Sequence, residues 1–249
     1  MFQRLLPDRV SDLGASDLAS GLRLGDLAPP DRPWIALNMA ATADGRVAIG
    51  GRSSPVAGSA DRELFHELRT QADAVMAGAR TARVERYRRV VKNESFAAKR
   101  EREGLDPRGL AVLVSGSLDL PADLPVLADP DSRVVIVTAA QAGLDGVVAD
   151  VSYIRQPPDL ALTAAMRSLR SDHGVRSILC EGGPHLNSAL FHEGLVDELF
   201  LCVSPRIAGE PSEPASLEGL ALPAPVDLSL VSLHEAEEHL FFRYRVASG

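Results

Sequence analysis

Cysteine is scarce: two in 249 residues, Cys180 and Cys202, too few for a disulfide scaffold or a structural zinc site. Both lie in apolar runs and read as reduced core residues. Aromatic side chains make up only 4%, which removes the stacking platforms of single-strand nucleic-acid binders. Basic charge is also in deficit, with 26 Lys and Arg against 34 Asp and Glu, a net charge of −8, so no nucleic-acid partner is expected. No apolar run approaches the roughly 18 residues of a membrane span, so no membrane partner is expected either. The N-terminal MFQRLLPDRVSDLG has no apolar signal core, and the expected location is cytoplasmic. The six histidines show no H-E-x-x-H and no clustered carboxylate, so no metal site is expected. G-x-S-x-G is missing, and with it the hydrolase reading. What remains is 45% hydrophobic and 24% charged, an ordinary composition for an α/β protein acting on a small molecule.

Residues 1–33 mix Asp, Arg, Gly and Pro and end in APPDRP, a stretch unsuited to strand or helix. They read as an N-terminal extension packed on the surface, with a single domain over residues 34–249. From Trp34 onward, short aliphatic runs alternate with amphipathic segments. WIALNMA (34–40), DAVMAG (73–78), LAVLVS (110–115), RVVIVT (133–138), VRSILCEGG (175–183) and VDELFLCVSP (196–205) are near-continuous apolar runs bounded by turns. Such runs suit strands buried on both faces of a mostly parallel sheet. Helical spacing appears in residues 60–72 and 160–173, the second with Asp159 as cap and Gly174 as stop. Pro184 opens a further helix that Gly194 closes. Two late strands, about 226–233 and 239–246, are joined so tightly that they must pair antiparallel. The fold class expected is therefore α/β, a mixed and mostly parallel sheet with helices on both faces and an antiparallel C-terminal edge. Residues 210–225, rich in Pro, Ser and Glu, read as a surface loop.

Three strand ends carry groups suited to phosphate. CEGGPHLNSAL (180–190) runs a strand into two glycines and a proline at a helix start, where close backbone approach and free amides attract an anion. An ordinary strand-to-helix turn explains it about equally well. MAGARTARV (76–84) offers amides, a hydroxyl and guanidinium groups, and VSGSLDLP (114–121) places Ser115 and Ser117 after a strand. At the carboxyl edge of a parallel sheet these ends would meet. Neither G-x-G-x-x-G nor G-x-x-x-x-G-K-[ST] occurs, so any dinucleotide is held without those fingerprints. In NMAATADGRVA (38–48), Asp44-Gly45 fits a plain turn better than a catalytic carboxylate on composition alone. Residues 80–108 hold ten Lys or Arg against five Asp or Glu, either a solvated helix face or a lure for an anionic ligand.

Together, NMAATADGRVA, ADRELFHELRTQADAVMAGART (60–81) and ILCEGGPHLNSALFHEGLVDELFLCVSP (178–205) resemble the riboflavin-biosynthesis pyrimidine reductases. These form the C-terminal half of the bacterial deaminase–reductase and share the dihydrofolate reductase fold. The resemblance runs from about Trp34 to the C-terminus. It implies an NADPH-dependent reductase, commonly homodimeric, that reduces the ribose of a 5-phosphoribosylamino-pyrimidine to a ribityl chain. No H-x-E followed by P-C-x-x-C is present, so a reductase without the deaminase domain is expected. By motif position the resemblance assigns Thr42, Gly78, Ala79, Arg80, Thr81, Ser115, Gly182, Gly183 and Pro184 to the cofactor, Thr42 and Asp44 lying where nicotinamide and substrate meet. It assigns Asn38, Ser53, Arg62, Lys92 and Glu181 to the substrate, with Arg62 on the ribose phosphate and Glu181 on the pyrimidine. Asp44 becomes the catalytic candidate, bonding a ring nitrogen or assisting protonation. Arg80 and Arg83 suggest a 2′-phosphate grip.

Departures from the family pattern fall on the substrate side. Ser53-Ser54-Pro55-Val56-Ala57 replaces a tryptophan-bearing segment, Lys92 stands where an arginine is usual, Glu85 holds an acidic position, and Asn38 replaces a frequent lysine. A dihydrofolate or other pterin reductase is therefore the alternative, and a non-catalytic NADP-binding protein the third reading. Arg62 and Lys92 discriminate: both facing the pocket favours a phosphorylated substrate, both facing solvent favours a pterin.

Overall fold

The computed structural model describes residues 1–157, 161–219 and 221–247. Its centre is an eleven-stranded sheet in the order β2-β1-β10-β11-β9-β3-β8-β4-β5-β6-β7. The strands are β1 (Phe2–Leu6), β2 (Val10–Leu13), β3 (Trp34–Thr42), β4 (Ala74–Gly78), β5 (Leu110–Val114), β6 (Arg133–Thr138), β7 (Asp150–Arg155), β8 (Ser177–Cys180), β9 (Glu198–Ser204), β10 (Leu228–Ala236) and β11 (His239–Val246). From β9 through β7 every neighbouring pair is parallel. From β9 outward through β11, β10, β1 and β2 every pair is antiparallel.

The aliphatic runs form the parallel strands because both their faces are covered, a setting that rewards Val, Ile and Leu at every position. On one face lies a core that includes Leu64 and Leu68 of α2 (Ser59–Leu68) and Ala82 of α3 (Ala79–Val84). On the other, α5 (Leu162–Ser171) contributes Met166 and Leu169, and α6 (Pro184–His192) contributes Leu186 and Leu190. Two further α-helices, α1 (Ala15–Ala19) and α4 (Glu94–Arg102), complete the set among the described residues. No helix among the described residues is long and apolar enough to cross a membrane.

The first 33 residues depart from the surface extension read in the sequence. β1 pairs with β10, and β2 pairs with β1, so the segment extends the sheet. Phe2 is buried edge-on against Phe241, with ring centroids 5.0 Å apart, and Leu24 is buried in the same core. Four or five mixed residues carry no period of their own, and β10, the strand that ties β1 to the sheet, lies more than 200 residues away. APPDRP itself is irregular, as expected.

Most remaining boundaries fall within a residue or two of the sequence reading. Asp159, the expected cap of α5, lies outside the described residues. Among the described residues, Glu193 accepts from the Leu162 and Thr163 amides at the start of that helix, at 2.9 and 2.7 Å. The late hairpin turns through Glu237 and Glu238, both at positive φ (53° and 63°), the backbone of a tight two-residue connection. The Glu237 carboxylate then reaches the start of α2, where Ser59 Oγ donates at 2.5 Å and the Ala60 amide at 3.2 Å. A hairpin at the far end of the sequence thus sets where α2 begins.

Candidate active site

Because β3, β8, β4 and β5 run parallel, their carboxyl ends share one edge of the sheet, and the loops that follow them meet there. The turn after β4 and the turn after β8 are stitched together, the Gly78 amide donating to the Gly182 carbonyl at 2.9 Å. Gly183 adopts φ 45°, and a Cβ there would lie 2.8 Å from Thr81 Oγ1, so only glycine fits. Pro184 follows at the start of α6, whose first-turn amides have no intrahelical acceptor and lie at the positive end of the helix dipole. Ser115 and Ser117 stand beside them after β5. All three loops open onto one cleft of about 1690 Å³, larger than a typical small-molecule pocket and roomy enough for a dinucleotide with a second ligand. Gly78, Ala79, Arg80, Thr81, Ser115, Gly183 and Pro184 all line it. Arg83 is occupied by an ion pair with Asp119 at 2.9 Å, whereas Arg80 has no such partner among the described residues.

The other end of the cleft is formed by α2. Asp61, Phe65 and Arg69, spaced at i, i+4 and i+8, place one helix face toward the lumen. The Arg69 guanidinium forks onto Glu181, Nε to Oε1 at 2.6 Å and Nη2 to Oε2 at 2.7 Å, and stacks over Phe65 at 4.3 Å. The Tyr87 hydroxyl also donates to Glu181. Burial alone would weaken the Arg69 charge, but the Glu181 carboxylate outweighs it and holds the guanidinium firmly protonated. Burial, reinforced by Glu181, pushes the Tyr87 phenol well above its ordinary range, so it stays a donor. Behind this cluster the wholly buried Arg100 donates to the Arg69 and Ala72 carbonyls at 2.5 and 2.7 Å, anchoring the end of α2. Its burial without a contacting carboxylate lowers its pKa to about 10. Lys92, Asn38, Ser53 and His66 line the same region. Burial and the nearby Arg69 and Lys92 charges lower the His66 pKa to about 4, so its imidazole is neutral at pH 7.

Four sequence assignments land elsewhere. Arg62 is exposed on the outer side of α2 and does not line the cleft, whereas Arg69, two helical turns on, does. Thr42 is buried, and Gly182 turns its carbonyl to Gly78. Asp44 accepts from Thr42 Oγ1 at 2.6 Å and from the Ala208 and Gly209 amides at 3.0 Å each. The Thr42 hydroxyl, then the two amides, hold this exposed carboxyl far below the usual range. A group held so firmly ionised has no proton to give, and the expected protonating role of Asp44 does not fit its setting. It clasps two loops instead. The second of these, read from sequence as a surface loop, supplies cleft wall through Ser212, Glu213, Pro214 and Glu218. Glu213 accepts from the Gly51 amide at 3.0 Å and tethers the segment that carries Ser53.

Residues missed in the sequence are Asp61, Arg69, Tyr87 and the 212–218 wall. The first two were readable as the inward stripe of a helix once its phase was known. Tyr87 and the wall had no local signal, since contacts across long separations place them.

The chain matches the family model for the RibD C-terminal domain over residues 33–242. It is 28% identical over 194 residues to the 2,5-diamino-6-ribosylamino-4(3H)-pyrimidinone 5′-phosphate reductase of Archaeoglobus fulgidus, covering 76% of this chain and 87% of that one. The enzyme of the same name from Methanothermobacter thermautotrophicus is 28% identical over 225 residues, 86% of this chain and 99% of that one. A pyrimidine reductase-like protein from Corynebacterium diphtheriae superposes with a TM-score of 0.78 at 23% identity, covering 95% and 100% of the two chains, which speaks for a shared fold. A cleft with two differently equipped ends, on this sheet and with this sequence match, places the chain in the RibD C-terminal domain family.

Proposed function

We propose that the protein is an NADPH-dependent reductase that converts a 5-phosphoribosylamino-pyrimidine to its ribitylamino product, the reaction class named for its archaeal relatives. One observation carries the reading: a single cleft joins an anion-receptive rim of three loops to a polar end built around Arg69 and Glu181. The glycine cradle at Gly183 and the α6 amides suit the pyrophosphate of a dinucleotide, with Ser115 toward its adenosine end. Arg80, without an ion-pair partner, is the 2′-phosphate candidate. Bound there, the dinucleotide supplies hydride; the chain's own residues supply position and charge. Glu181, with one edge held by Arg69 and Tyr87, suits the amino groups of a diaminopyrimidine. Lys92 and Arg69 bring positive charge for the ribose phosphate.

The discriminating pair divides, since Lys92 faces the cleft and Arg62 does not, but Arg69 supplies the second cation. That favours the phosphorylated substrate over a pterin. We place the enzyme in the cytoplasm, where both buried thiols, Cys180 and Cys202, remain reduced. We also infer a homodimer. The α5/α6 side of β9 and β11 carries the half-buried apolar pairs Leu199–Tyr244, Leu201–Phe242 and Val203–Leu240, with exposed Leu228 and Leu230 at its margin.

The test is cofactor oxidation followed side by side with the phosphoribosylamino-pyrimidine and with dihydrofolate, using NADPH and NADH. Turnover with the pyrimidine and NADPH is expected. Turnover with dihydrofolate alone overturns the substrate, equal use of NADH overturns the Arg80 reading, and binding without oxidation favours the non-catalytic alternative.

A further inference from the structure

Resting on that reading of the reaction, we infer that Asp61 is the acid that delivers the proton the reduction consumes. The reaction needs one. As C1′ of the ribosyl group gains a hydride, the C1′–O4′ bond breaks and its electron pair stays on O4′. O4′ then takes a proton and becomes a hydroxyl of the ribityl chain. The ribosyl carbon is reduced and the dihydronicotinamide is oxidised, and the proton must come from a group inside the cleft.

Among the carboxyls of the cleft, Asp61 has the geometry and the environment for this. It projects from the first turn of α2 on the stripe that continues through Phe65 to Arg69, and lines the cleft with Asn38 of the central strand β3. Eight residues of helix, about 12 Å, separate it from Arg69, so a ligand anchored at Arg69 and Glu181 can reach it. Both Glu181 oxygens are occupied by the Arg69 fork. Glu85 accepts from the Ser53 amide at 3.0 Å, and Glu213 from the Gly51 amide. Asp61 has no such engagement. The groups that act on its charge are the Cys202 thiol of β9, His239 of β11 and Arg62 on its own helix, and none of them forms an ion pair with it among the described residues.

Burial raises the Asp61 pKa above its ordinary value, with the thiol, His239 and Arg62 opposing only in part. The remaining titratable neighbours are committed elsewhere or lie across a second, smaller cavity that Asp61 also lines. Glu237 is bound to Ser59 and Ala60, and Arg243 to Glu198; Arg4 of β1, Asp17 of α1, His234 of β10 and Arg245 of β11 line that cavity. Cys202, its thiol driven far up by burial and by Asp61 itself, cannot compete as an ionised partner. The result is a carboxyl kept as a proton carrier at the wall of the cleft, the opposite of the ionised Asp44.

The experiment compares wild type with Asp61→Asn and Asp61→Glu. Asp61→Asn is expected to lower kcat by about 10²–10⁴-fold, with NADPH affinity by fluorescence unchanged. Wild-type kcat is expected to fall as pH rises through the Asp61 pKa, a limb that Asp61→Asn abolishes and Asp61→Glu restores in part. A readout independent of turnover is the ¹³C carboxyl titration of the free protein, in which the resonance absent from Asp61→Asn titrates above the normal aspartate range. Wild-type kcat and pH profile in an Asp61→Asn protein that binds NADPH normally overturns the inference, as does an Asp61 resonance titrating in the normal range. If wild type itself shows no turnover with the pyrimidine, the reaction reading has failed instead.

Discussion

Arg62 and Arg69 lie seven residues apart on one helical stretch, and the consequences of losing each differ because one faces water and the other Glu181. Arg69→Ala leaves a buried carboxylate unpaired, which costs about 3–5 kcal/mol; urea denaturation is expected to show that loss with a sharp rise in KM for the pyrimidine. Arg62→Ala is expected to stay within about 0.5 kcal/mol of wild type with KM unchanged. A matching KM effect from Arg62→Ala would return the phosphate contact to it. The same lesson applies to aspartate. Asp44 and Asp61 share a side chain, yet one accepts from a hydroxyl and two amides while the other is withdrawn from water by burial, so their proton affinities move in opposite directions.

At the level of elements, the turn between β8 and α6 depends on one residue without a side chain. Gly183→Ala places a methyl 2.8 Å from Thr81 Oγ1 at a φ that L-residues rarely adopt. NADPH affinity measured by fluorescence is expected to fall at least about tenfold, equivalent to about 1.4 kcal/mol. Adding Thr81→Ala relieves the clash but not the backbone strain, so recovery is expected to be partial; full affinity in Gly183→Ala would remove this turn from the cofactor site. Elements are also where the sequence was most legible. The long aliphatic runs could be nothing but buried strands, and Pro184 and Gly194 marked both ends of α6. β1 and β2 were illegible because short strands at a sheet margin draw their stability from their neighbours, β10 for β1 and β1 for β2, and need no pattern of their own.

Two histidines contribute a pH dependence to the stability of the whole molecule. Burial, with help from neighbouring cations, lowers both His66 and His234 from 6.5 to about 4. Between these values the unfolded chain binds protons that the folded chain refuses, so stability is expected to fall as pH drops from 6.5 toward 4. Each contributes less than the limiting slope of about 1.4 kcal/mol per pH unit, since both are half-exposed. Urea midpoints across that range check this, and His234→Gln is expected to flatten the slope. Assembly is the second whole-molecule property. Phe242→Glu on the uncovered sheet face is expected to yield a monomer by light scattering; a dimer that survives would move the interface elsewhere.

Residue order alone determined that the chain is an α/β protein with a parallel body and an antiparallel end, and that three strand-end loops share one rim. Hydrophobic period and turn chemistry are local properties, and in a parallel sheet the direction of each strand follows from the crossover before it. The pairing of Arg69 with Glu181, the ionised state of Asp44, the raised proton affinity of Asp61 and the recruitment of residues 1–13 into the sheet were decided only by the tertiary structure. Each is a matter of what surrounds a group once distant segments have packed, and desolvation and hydrogen bonding act over a few ångströms of space rather than along the chain.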